Sequence, residues 1–283
     1  MTKILVTGGN GQLAQCLKDV VKNNDELDVN FQDLPELDIT NIQQLASYFS
    51  KNELDYCINC AAYTAVDLAE EQSDLAYAVN ADGPKNLAEV CKKHQVKLLH
   101  ISTDFVFDGK KQTPYIESDM PNPLGVYGAS KWQGERNIQE IMEDYFIIRT
   151  SWLYSQYGNN FMKSMLRLSE TRDEISVVSD QIGAPTYAGD LAEVLIKIIL
   201  SSSPNYGVYH YSNSGAISWY DFAVEIFKQF AKTIEVKPIK TKDYPTAAKR
   251  PKYSILDTKK IETEFKTQNL NWRLSLTNIN NPK

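Results

Sequence analysis

The sequence contains little cysteine, no long apolar run and no excess of positive charge. Four cysteines in 283 residues are too few and too scattered for a disulfide framework. A net charge of −6 argues against a general nucleic-acid or membrane-surface binder, because a phosphate backbone requires a basic face. The longest apolar run near a predicted helix, 195–200, contains Lys197 and is too short to span a bilayer. With no apolar signal region after Met1, we expect a cytoplasmic globular protein without nucleic-acid or membrane partners.

Cys57 and Cys60 form a C-x-x-C pair, a spacing that also occurs in metal and redox sites. The surrounding segment DYCINCAA has the pattern of a buried strand, in which residues three apart point to opposite faces. Two thiols on opposite faces cannot share a metal ion. We therefore expect a structural role for both cysteines and no metal site.

Short apolar strands alternate with longer helical segments over the first half of the chain. This alternation predicts right-handed crossovers and a parallel sheet covered by helices on both faces. The predicted strands there are 3–7, 27–31, 56–60, 97–101 and 145–149, and the predicted helices are 12–22, 42–50, 74–94 (with Pro84 as a candidate kink) and 126–141. After Thr150 the pattern loosens, with predicted helices at 160–170, 189–200 and 218–231 and predicted strands at 175–178, 208–211 and 236–239. The predicted fold class is α/β, a doubly wound, Rossmann-like parallel sheet with a smaller C-terminal lobe.

The glycine-rich turn TGGNGQLA follows the first predicted strand and opens the first predicted helix. Gly8 would make the tight turn, Gly11 would let the backbone approach a pyrophosphate, and Ala14 is small enough for close helix–strand packing. The diphosphate would lie on the free N–H groups of the helix start, at Gln12 and Leu13. This context predicts a dinucleotide-binding domain at 1–150, with parts of 175–200, and a substrate-binding lobe mainly at 151–283, built from non-contiguous pieces.

Two acids compete for the adenosine ribose of such a dinucleotide. Asp33 lies near the end of the second strand, about 20 residues past the turn, where a carboxylate accepts a hydrogen bond from a ribose hydroxyl. An acid there repels a 2′-phosphate, and no arginine stands in the first turn or just after the second strand. We expect NADH or NADPH as the cofactor, with a preference for NADH. Asp38 is the competing acid, with Ile39 beside it as a further contact, and either acid can instead be a solvated loop carboxylate.

Tyr127 and Lys131 are four residues apart in the predicted helix 126–141, so both side chains lie on one face. An ammonium stabilises a phenolate, so we expect Lys131 to lower the pKa of the Tyr127 phenol toward working pH. Such a phenol is a general acid for the reduction of a carbonyl. A tyrosine and a lysine at this spacing also occur by chance on amphipathic helices, so the pair depends on its context. Thr103 supplies part of that context, because the polar segment STD follows the apolar run 97–101 at the end of a predicted parallel strand.

The glycine-rich turn, Thr103 and the Tyr127/Lys131 pair occur in an order that resembles the extended short-chain dehydrogenase/reductases. Seven blocks between about residue 1 and about residue 260 are similar, in order, to the dTDP-4-dehydrorhamnose reductase family. They are GQL from Gly11, CAAYTAVD from Cys60, STDFVF from Ser102, YGASK from Tyr127, RTSWLY from Arg149, DQIGAPT from Asp180 and the dipeptide Arg250-Pro251. The last 20 or so residues carry no motif that we can place.

The resemblance implies reduction of the C4 ketone of dTDP-4-dehydro-L-rhamnose, a nucleotide sugar, to dTDP-L-rhamnose, a precursor of cell-surface polysaccharide. The hydride would come from a nicotinamide. The resemblance also implies that Tyr127 protonates the C4 oxygen and that Thr103 hydrogen-bonds the same atom. Lys131 would tune the phenol and hold the nicotinamide ribose.

Further contacts follow from the same resemblance. Ala62 and Tyr63 would lie against the cofactor, and Thr64 would reach from there toward the substrate. The remaining substrate-binding residues it implies are Asp104 and Trp152, which would line the sugar pocket, and Arg250. Trp152 can alternatively be a core aromatic at a strand end.

The chain departs from the family pattern at two informative positions. Phe105 stands where members often carry tyrosine, which removes one expected hydroxyl contact with the substrate. Cys16 replaces a glutamate that contributes to an intersubunit magnesium site in some relatives, and a thiol is a poor magnesium ligand. We therefore expect no metal.

Three other functions share this scaffold. Nucleotide-sugar dehydratases require a further acid/base residue after Thr-Asp, and Phe105 cannot move a proton. A nucleotide-sugar epimerase and a non-catalytic, dinucleotide-binding regulatory subunit are the alternatives that stay open. For the assembly, a homodimer is one expectation.

Overall fold

The computed structural model describes residues 1–280 and contains one large sheet and several two-stranded sheets. The strands are β1 (Thr2–Thr7), β2 (Leu27–Gln32), β3 (Tyr56–Asn59), β4 (Lys97–Thr103), β5 (Tyr145–Thr150), β6 (Leu153–Tyr154), β7 (Glu174–Val178), β8 (Ile182–Gly183), β9 (Thr186–Tyr187), β10 (Gly207–His210), β11 (Ile217–Ser218) and β12 (Glu235–Ile239). The α-helices are α1 (Gln12–Val21), α2 (Ile42–Lys51), α3 (Ser73–Tyr77), α4 (Gly83–His94), α5 (Val126–Ile141), α6 (Phe161–Leu168), α7 (Ala188–Ser201), α8 (Trp219–Gln229), α9 (Lys259–Phe265) and α10 (Trp272–Asn280).

The central sheet has the strand order β10-β5-β4-β3-β1-β2, and every neighbouring pair in it is parallel. From β1 the chain first adds β2 on one side and then β3 on the other, so the order reverses at β1. Ligands of open α/β sheets bind outside the carboxyl ends of the strands at such a reversal. The predicted α/β class and doubly wound parallel sheet are confirmed.

The strand sequences are apolar on both faces because helices cover both faces of the sheet. In β1, Ile4 and Val6 enter the core beneath α1 and α7, whereas Leu5 enters the opposite core beneath α2 and α4. The C-x-x-C cysteines follow the same alternation: Cys57 belongs to the core of α2 and α4, and Cys60 packs against the core of α1 and α7. The predicted opposite orientation of these thiols is confirmed.

A separate hydrophobic cluster lies outside the central sheet, among α6, α8, α10 and the paired strands β7 and β12. Phe222 and Trp272 are fully or almost fully buried in it. The helix α8 begins with a capping box, in which Ser218 and Asp221 satisfy each other's backbone N–H groups. Trp272 opens α10, so residues that carried no recognisable motif complete this cluster.

The structure refines several of the predictions. The helix expected at 74–94 is divided, as the presence of Pro84 allowed, into α3, a π-helical turn at Ala78–Asp82 and α4, with the break just before Pro84. Proline lacks the N–H that would continue the hydrogen-bond ladder, which accounts for the break. The strand expected at 97–101 extends to Thr103, which pairs with Thr150 of β5. The helices α9 and α10 were not predicted.

Within residues 1–280, no helix combines the length and the apolar character that a membrane crossing requires. Over the same residues, no group of three or more histidine, cysteine, aspartate or glutamate side chains is arranged to hold a metal ion.

Candidate active site

The glycine-rich turn connects β1 to α1 at the carboxyl edge of the sheet. Gly8 has a φ of +67°, and a Cβ atom on it would lie 2.6 Å from the backbone nitrogen of Ala61. Only glycine tolerates both the left-handed conformation and this close approach. The N–H of Gly11 donates to the Gly8 carbonyl at 2.9 Å, and no side chain caps α1. The first N–H groups of α1, including those of Gln12 and Leu13, therefore face the edge of the sheet.

The two candidate acids have different neighbours. Asp33 accepts hydrogen bonds from the backbone N–H groups of Asn10 and Leu34, each at 2.8 Å, which brings its carboxylate against the glycine-rich turn. Asp38 accepts from the N–H and the hydroxyl of Thr40, both at 2.8 Å, in its own local turn. Ile39 is buried in the core beneath α2 and α4. Of the two acids, Asp33 is the one in contact with the turn.

The side chain of Gln12 faces the rest of the protein. Its Nε2 donates to the carbonyl of Leu153 at 3.3 Å, and its Oε1 accepts from the Ser155 hydroxyl at 3.3 Å. The side chain of Leu13 points from α1 into the hydrophobic core. For both residues it is the backbone, at the start of α1, that remains available to a ligand.

The segment Ala62, Tyr63 and Thr64 follows β3 and is held in place by Asn80. The buried Asn80 side chain accepts from the Tyr63 N–H at 2.9 Å and donates to the Tyr63 carbonyl at 3.0 Å. It also donates to the Ser130 hydroxyl on α5 at 3.1 Å. Asn80 thus links the predicted cofactor segment to the helix that carries Tyr127 and Lys131, a role that no local sequence signal indicated.

Thr103, Asp104 and Tyr127 meet where β4 ends and α5 begins. Thr103 and Asp104 are almost fully buried, and the Thr103 hydroxyl donates to Asp104 Oδ1 at 3.1 Å. Tyr127 as a residue is partly exposed, but its phenol group is buried and hydrogen-bonds to the Thr103 hydroxyl. The Phe105 ring lies edge-on to the Tyr127 ring, with 5.5 Å between centroids. The predicted hydroxyl and phenol therefore stand side by side.

The expected effect of Lys131 on the phenol is wrong for this arrangement. Burial raises the pKa of Tyr127 to about 12, a hydrogen bond with Thr103 opposes the rise, and the nearby Asp104 adds to it. The Nζ of Lys131 instead donates to the Ile101 carbonyl at 2.6 Å and lies 3.3 Å from His100 Nε2, so this cation is not among the groups that shift the pKa of the phenol. Burial lowers the pKa of Lys131 itself to about 8.

A buried ion pair lies between the helix α5 and the central sheet. Glu135 and Arg149 are fully or almost fully buried, with 2.6 Å between Oε2 and Nη2. Glu135 Oε1 also accepts from the Ser102 hydroxyl at 2.5 Å. Arg149 lies over the ring of Phe107, 5.1 Å from its centroid. The pair thus ties α5 to β4 and β5, and it was missed because its members are 14 residues apart in different elements.

On the other side of the site, Asp104 Oδ2 is buried without a hydrogen-bond partner among the described residues. Burial raises the pKa of this carboxyl to about 6.

Trp152 has a φ of +46°, which is unusual for a bulky side chain, and its ring stacks on Trp219 at a centroid distance of 3.5 Å. Trp152 is therefore locked between β5 and α8, at the boundary of the cluster formed by α6, α8 and α10.

Arg250 lines two cavities that share Gln181, Tyr244 and Thr246. The first, of about 840 Å³, is lined by basic side chains, with Lys111, Lys242 and Lys252 among them. The second, of about 490 Å³, has mainly apolar walls, and its lining residues are Phe161, Ser164, Met165, Leu168, Arg172, Ile175, Ser176, Val177, Val178, Gln181, Trp219, Tyr244, Thr246 and Arg250. Arg250 is itself held by the carboxylate of Asp67, at 2.6 Å from Nη2 to Oδ2.

The sheet is parallel and carries a glycine-rich turn after β1, a threonine at the end of β4, and a tyrosine and a lysine near the start of α5. This is the architecture of an extended short-chain dehydrogenase/reductase. The family described as the RmlD substrate binding domain matches residues 1–282, and the chain belongs to this family. The resemblance drawn from the motifs is thereby confirmed.

Several known proteins are similar to the chain over nearly its whole length. The dTDP-4-dehydrorhamnose reductase of Aggregatibacter actinomycetemcomitans is 45% identical over 99% of this chain and 98% of the relative. The crystal structure of dTDP-4-dehydrorhamnose reductase from Bacillus anthracis in complex with NADP is 44% identical, covers 99% of each chain and has a TM-score of 0.95. A UDP-glucose 4-epimerase from Thermus thermophilus, in complex with NAD, has a TM-score of 0.82 at 18% identity over 99% of this chain and 98% of that one, which shows a shared fold alone.

Proposed function

We propose that the protein reduces the C4 ketone of dTDP-4-dehydro-L-rhamnose with NADH or NADPH and gives dTDP-L-rhamnose. The observation that carries the proposal is the contact between the Thr103 hydroxyl and the Tyr127 phenol beside a buried lysine, at the edge of the sheet that also holds the glycine-rich turn. Relatives named for this activity, one of them in complex with NADP, support it. We include in this proposal a cytoplasmic location, a homodimer, a dinucleotide-binding domain at 1–150 with parts of 175–200, and a substrate-binding lobe mainly at 151–283.

The turn fits a dinucleotide. A Cβ atom at Gly8 would lie 2.6 Å from the Ala61 backbone, so glycine keeps open the space where β1 meets α1. The N–H groups of Gln12 and Leu13 would hold the diphosphate with Gly8 and Gly11, and either Asp33 or Asp38, beside Ile39, would take the adenosine ribose. Ala62, Tyr63, Thr64 and Lys131 would line the nicotinamide half. When bound, the reduced nicotinamide supplies the hydride.

Tyr127 is positioned to supply the proton. Because its pKa is raised to about 12, the phenol keeps its proton at neutral pH and gives it up only as negative charge develops on the C4 oxygen. The Thr103 hydroxyl, in contact with the same phenol, would hydrogen-bond that oxygen and stabilise its charge. Lys131 would hold the nicotinamide ribose.

The two cavities at Arg250 match two parts of a nucleotide sugar. The lysine-lined cavity suits the diphosphate, and the cavity with apolar and aromatic walls suits the base. Arg250 lies at their junction, and Asp104 and Trp152 would face the sugar, with Thr64. This arrangement supports a substrate that carries both an anionic centre and a flat ring.

The test is the oxidation of NADPH and NADH, followed by absorbance, with purified dTDP-4-dehydro-L-rhamnose as substrate. We expect stoichiometric formation of dTDP-L-rhamnose, identified by mass spectrometry and NMR. Tyr127→Phe should lose the activity, and Tyr206→Phe, which alters a tyrosine packed on the sheet away from the site, should retain it. Epimerisation of the substrate without cofactor consumption, or cofactor binding without turnover, would instead support one of the two alternatives.

A further inference from the structure

Three polar side chains cross the sheet at one level and lead to Lys131. In the strand register, Thr7 of β1 pairs with Asn59 of β3, and Asn59 pairs with His100 of β4. All three are buried, with at most 1% of their surface exposed. The contacts run from the Thr7 hydroxyl to Asn59 Oδ1 at 2.8 Å, from Asn59 Nδ2 to His100 Nδ1 at 3.0 Å, and from His100 Nε2 to Lys131 Nζ at 3.3 Å.

The orientation of the Asn59 amide determines which nitrogen of His100 carries the proton. The backbone N–H of Ala61, which can only donate, lies 3.1 Å from Asn59 Oδ1, so the amide oxygen must face Ala61. The amide nitrogen then faces His100 Nδ1 and donates to it. A ring nitrogen that accepts carries no hydrogen, and the neutral imidazole therefore has its proton on Nε2.

That proton faces Lys131. An ammonium has only donors, whereas a neutral amine has a lone pair that can accept from the imidazole N–H. Since Nζ also donates to the Ile101 carbonyl at 2.6 Å, every group in the chain of contacts is satisfied when Lys131 is an amine. An ammonium would leave one donor facing another inside the protein, which disfavours the charged form.

The charges around Lys131 act in both directions. Glu135 on α5 and the Cys60 thiol after β3 raise its pKa, and burial, the largest effect, lowers it to about 8. Burial, the largest effect, holds the pKa of His100 well below its ordinary value, and a charged Lys131 lowers it further, so His100 stays neutral and cannot relieve the conflict by changing charge. Tyr127, on the same helix face, is neutral at this pH because its pKa is about 12.

We propose that Asn59 and His100 are positioning residues for the reduction, and that they set the protonation state of Lys131 through the Nε2–H tautomer of His100. The inference rests on the proposed function for the role of Lys131 in the reaction, but the tautomer itself does not depend on it. With this tautomer, Lys131 can exist as amine or ammonium in the range where an enzyme works. It can then take up or release a proton as Tyr127 does, and Asn59 controls that balance through His100 on the adjacent strand β4.

The tautomer can be measured directly, because the chain has three histidines and nitrogen-15 NMR distinguishes a protonated Nε2 from a protonated Nδ1. His210 is an internal control, since its Nδ1 lies 3.0 Å from the Tyr115 carbonyl and must donate, which predicts the opposite tautomer. We expect Nε2–H at His100 and Nδ1–H at His210 in the same spectrum, with His100→Phe and His210→Phe assigning the signals. A wild-type His100 with its proton on Nδ1 would overturn the inference, whatever the activity.

Asn59→Asp tests the control of Lys131 with almost no change of shape. The new carboxylate keeps an oxygen toward Ala61 and offers a second acceptor to His100 Nδ1, so the tautomer should reverse and Nε2 should accept from a Lys131 ammonium. The alkaline limb of NADPH binding, followed by fluorescence, and that of kcat should then move upward by about one pH unit. His100→Phe, which removes the opposing donor, should shift the limb in the same direction, and His210→Phe should not.

Circular dichroism and thermal melting identify the variants that fold like the wild type. If both Asn59→Asp and His100→Phe fold and neither moves the limb of binding or of kcat, the control of Lys131 by this pair is refuted. Failure of the proposed function would look different. In that case no turnover of the nucleotide sugar would be found, while the histidine tautomers and the pH dependence of NADPH binding would still answer the present question.

Discussion

Arg250 and Asp67 form a two-pronged ion pair although 183 residues separate them: Nη1 donates to Oδ1 at 3.0 Å and Nη2 to Oδ2 at 2.6 Å. The Ala248 N–H donates to the same carboxylate at 3.0 Å. Hydrogen bonds from the Arg250 side chain are the largest effect on the pKa of Asp67 and, together with that of the Ala248 backbone, hold it below its ordinary value although burial opposes them. The pair joins the loop after β3 to the loop that lines both cavities, and it aims the guanidinium.

The first prediction concerns this pair. Asp67→Asn keeps the size of the side chain but removes the charge that orients Arg250, so KM for the nucleotide sugar should rise about tenfold, the equivalent of ~1.4 kcal/mol, with kcat little changed. Steady-state kinetics and cofactor titration would measure this. Glu53→Gln, which breaks an exposed ion pair with Lys3, is the matched control and should leave KM unaltered. A fall in kcat with constant KM would contradict the predicted role.

The second prediction concerns the proton donor. Tyr127→Phe keeps the ring that packs against Phe105 but removes the phenolic proton, so kcat should fall by about 10²–10⁴. NADPH affinity should change little, because the phenol is not expected to anchor the dinucleotide. Lys131→Ala should impair both, and Thr103→Val should reduce kcat less than Tyr127→Phe. If Tyr127→Phe keeps more than about a third of kcat while chemistry limits turnover, another group supplies the proton.

The third prediction concerns the choice of cofactor. The Asp33 carboxylate lies against the glycine-rich turn and would repel a 2′-phosphate, so NADH should serve at least as well as NADPH. Asp33→Ala should favour NADPH relative to the wild type, whereas Asp38→Ala should change the ratio less, since Asp38 is bonded to Thr40. The ratio of kcat/KM for the two cofactors decides this. A wild-type preference for NADPH of about tenfold or more would refute the prediction.

The fourth prediction concerns metal. Cys16 is buried, and burial raises the pKa of its thiol to about 12, so it remains protonated and cannot serve as a magnesium ligand. Activity should persist after dialysis against a chelator, as measured by initial rates with and without added magnesium. Complete loss of activity that magnesium alone restores would contradict this expectation.

The fifth prediction concerns pH and stability. The pKa of Asp104 is about 6 in the folded protein, above its ordinary value of 3.8, so the folded state binds the proton more tightly than the unfolded state. Asp104 therefore favours folding most at acid pH, and this contribution is lost as the pH rises from about 4 to about 6, by up to ~3 kcal/mol. Asp104→Asn should flatten that part of the stability profile, measured by denaturant midpoints at several pH values. Parallel profiles for variant and wild type would show that another group is responsible.

Much of the nucleotide-binding half was predictable because its signals are local. The helix α5 was predicted with its observed limits, and strands β1 to β5 lay within a residue or two of their observed ends. The period of an apolar run and the positive φ of Gly8 depend only on residues that are adjacent in the sequence, so both can be predicted without the tertiary structure. The break before Pro84 was predictable for the same reason, because the missing N–H of proline is also a local property of the sequence.

The contacts that give the site its chemistry were not local. Lys131 was expected to act on Tyr127 one turn away, but strand register places His100 beside its Nζ and Asn59 beside His100. Asp67 and Arg250 likewise meet only through the tertiary fold. The sequence by itself determined the class of fold, the position of the glycine-rich turn and the identity of the threonine, tyrosine and lysine. Only the tertiary structure decided their protonation and hydrogen-bond partners, because burial and cross-strand contacts depend on residues far apart in the chain.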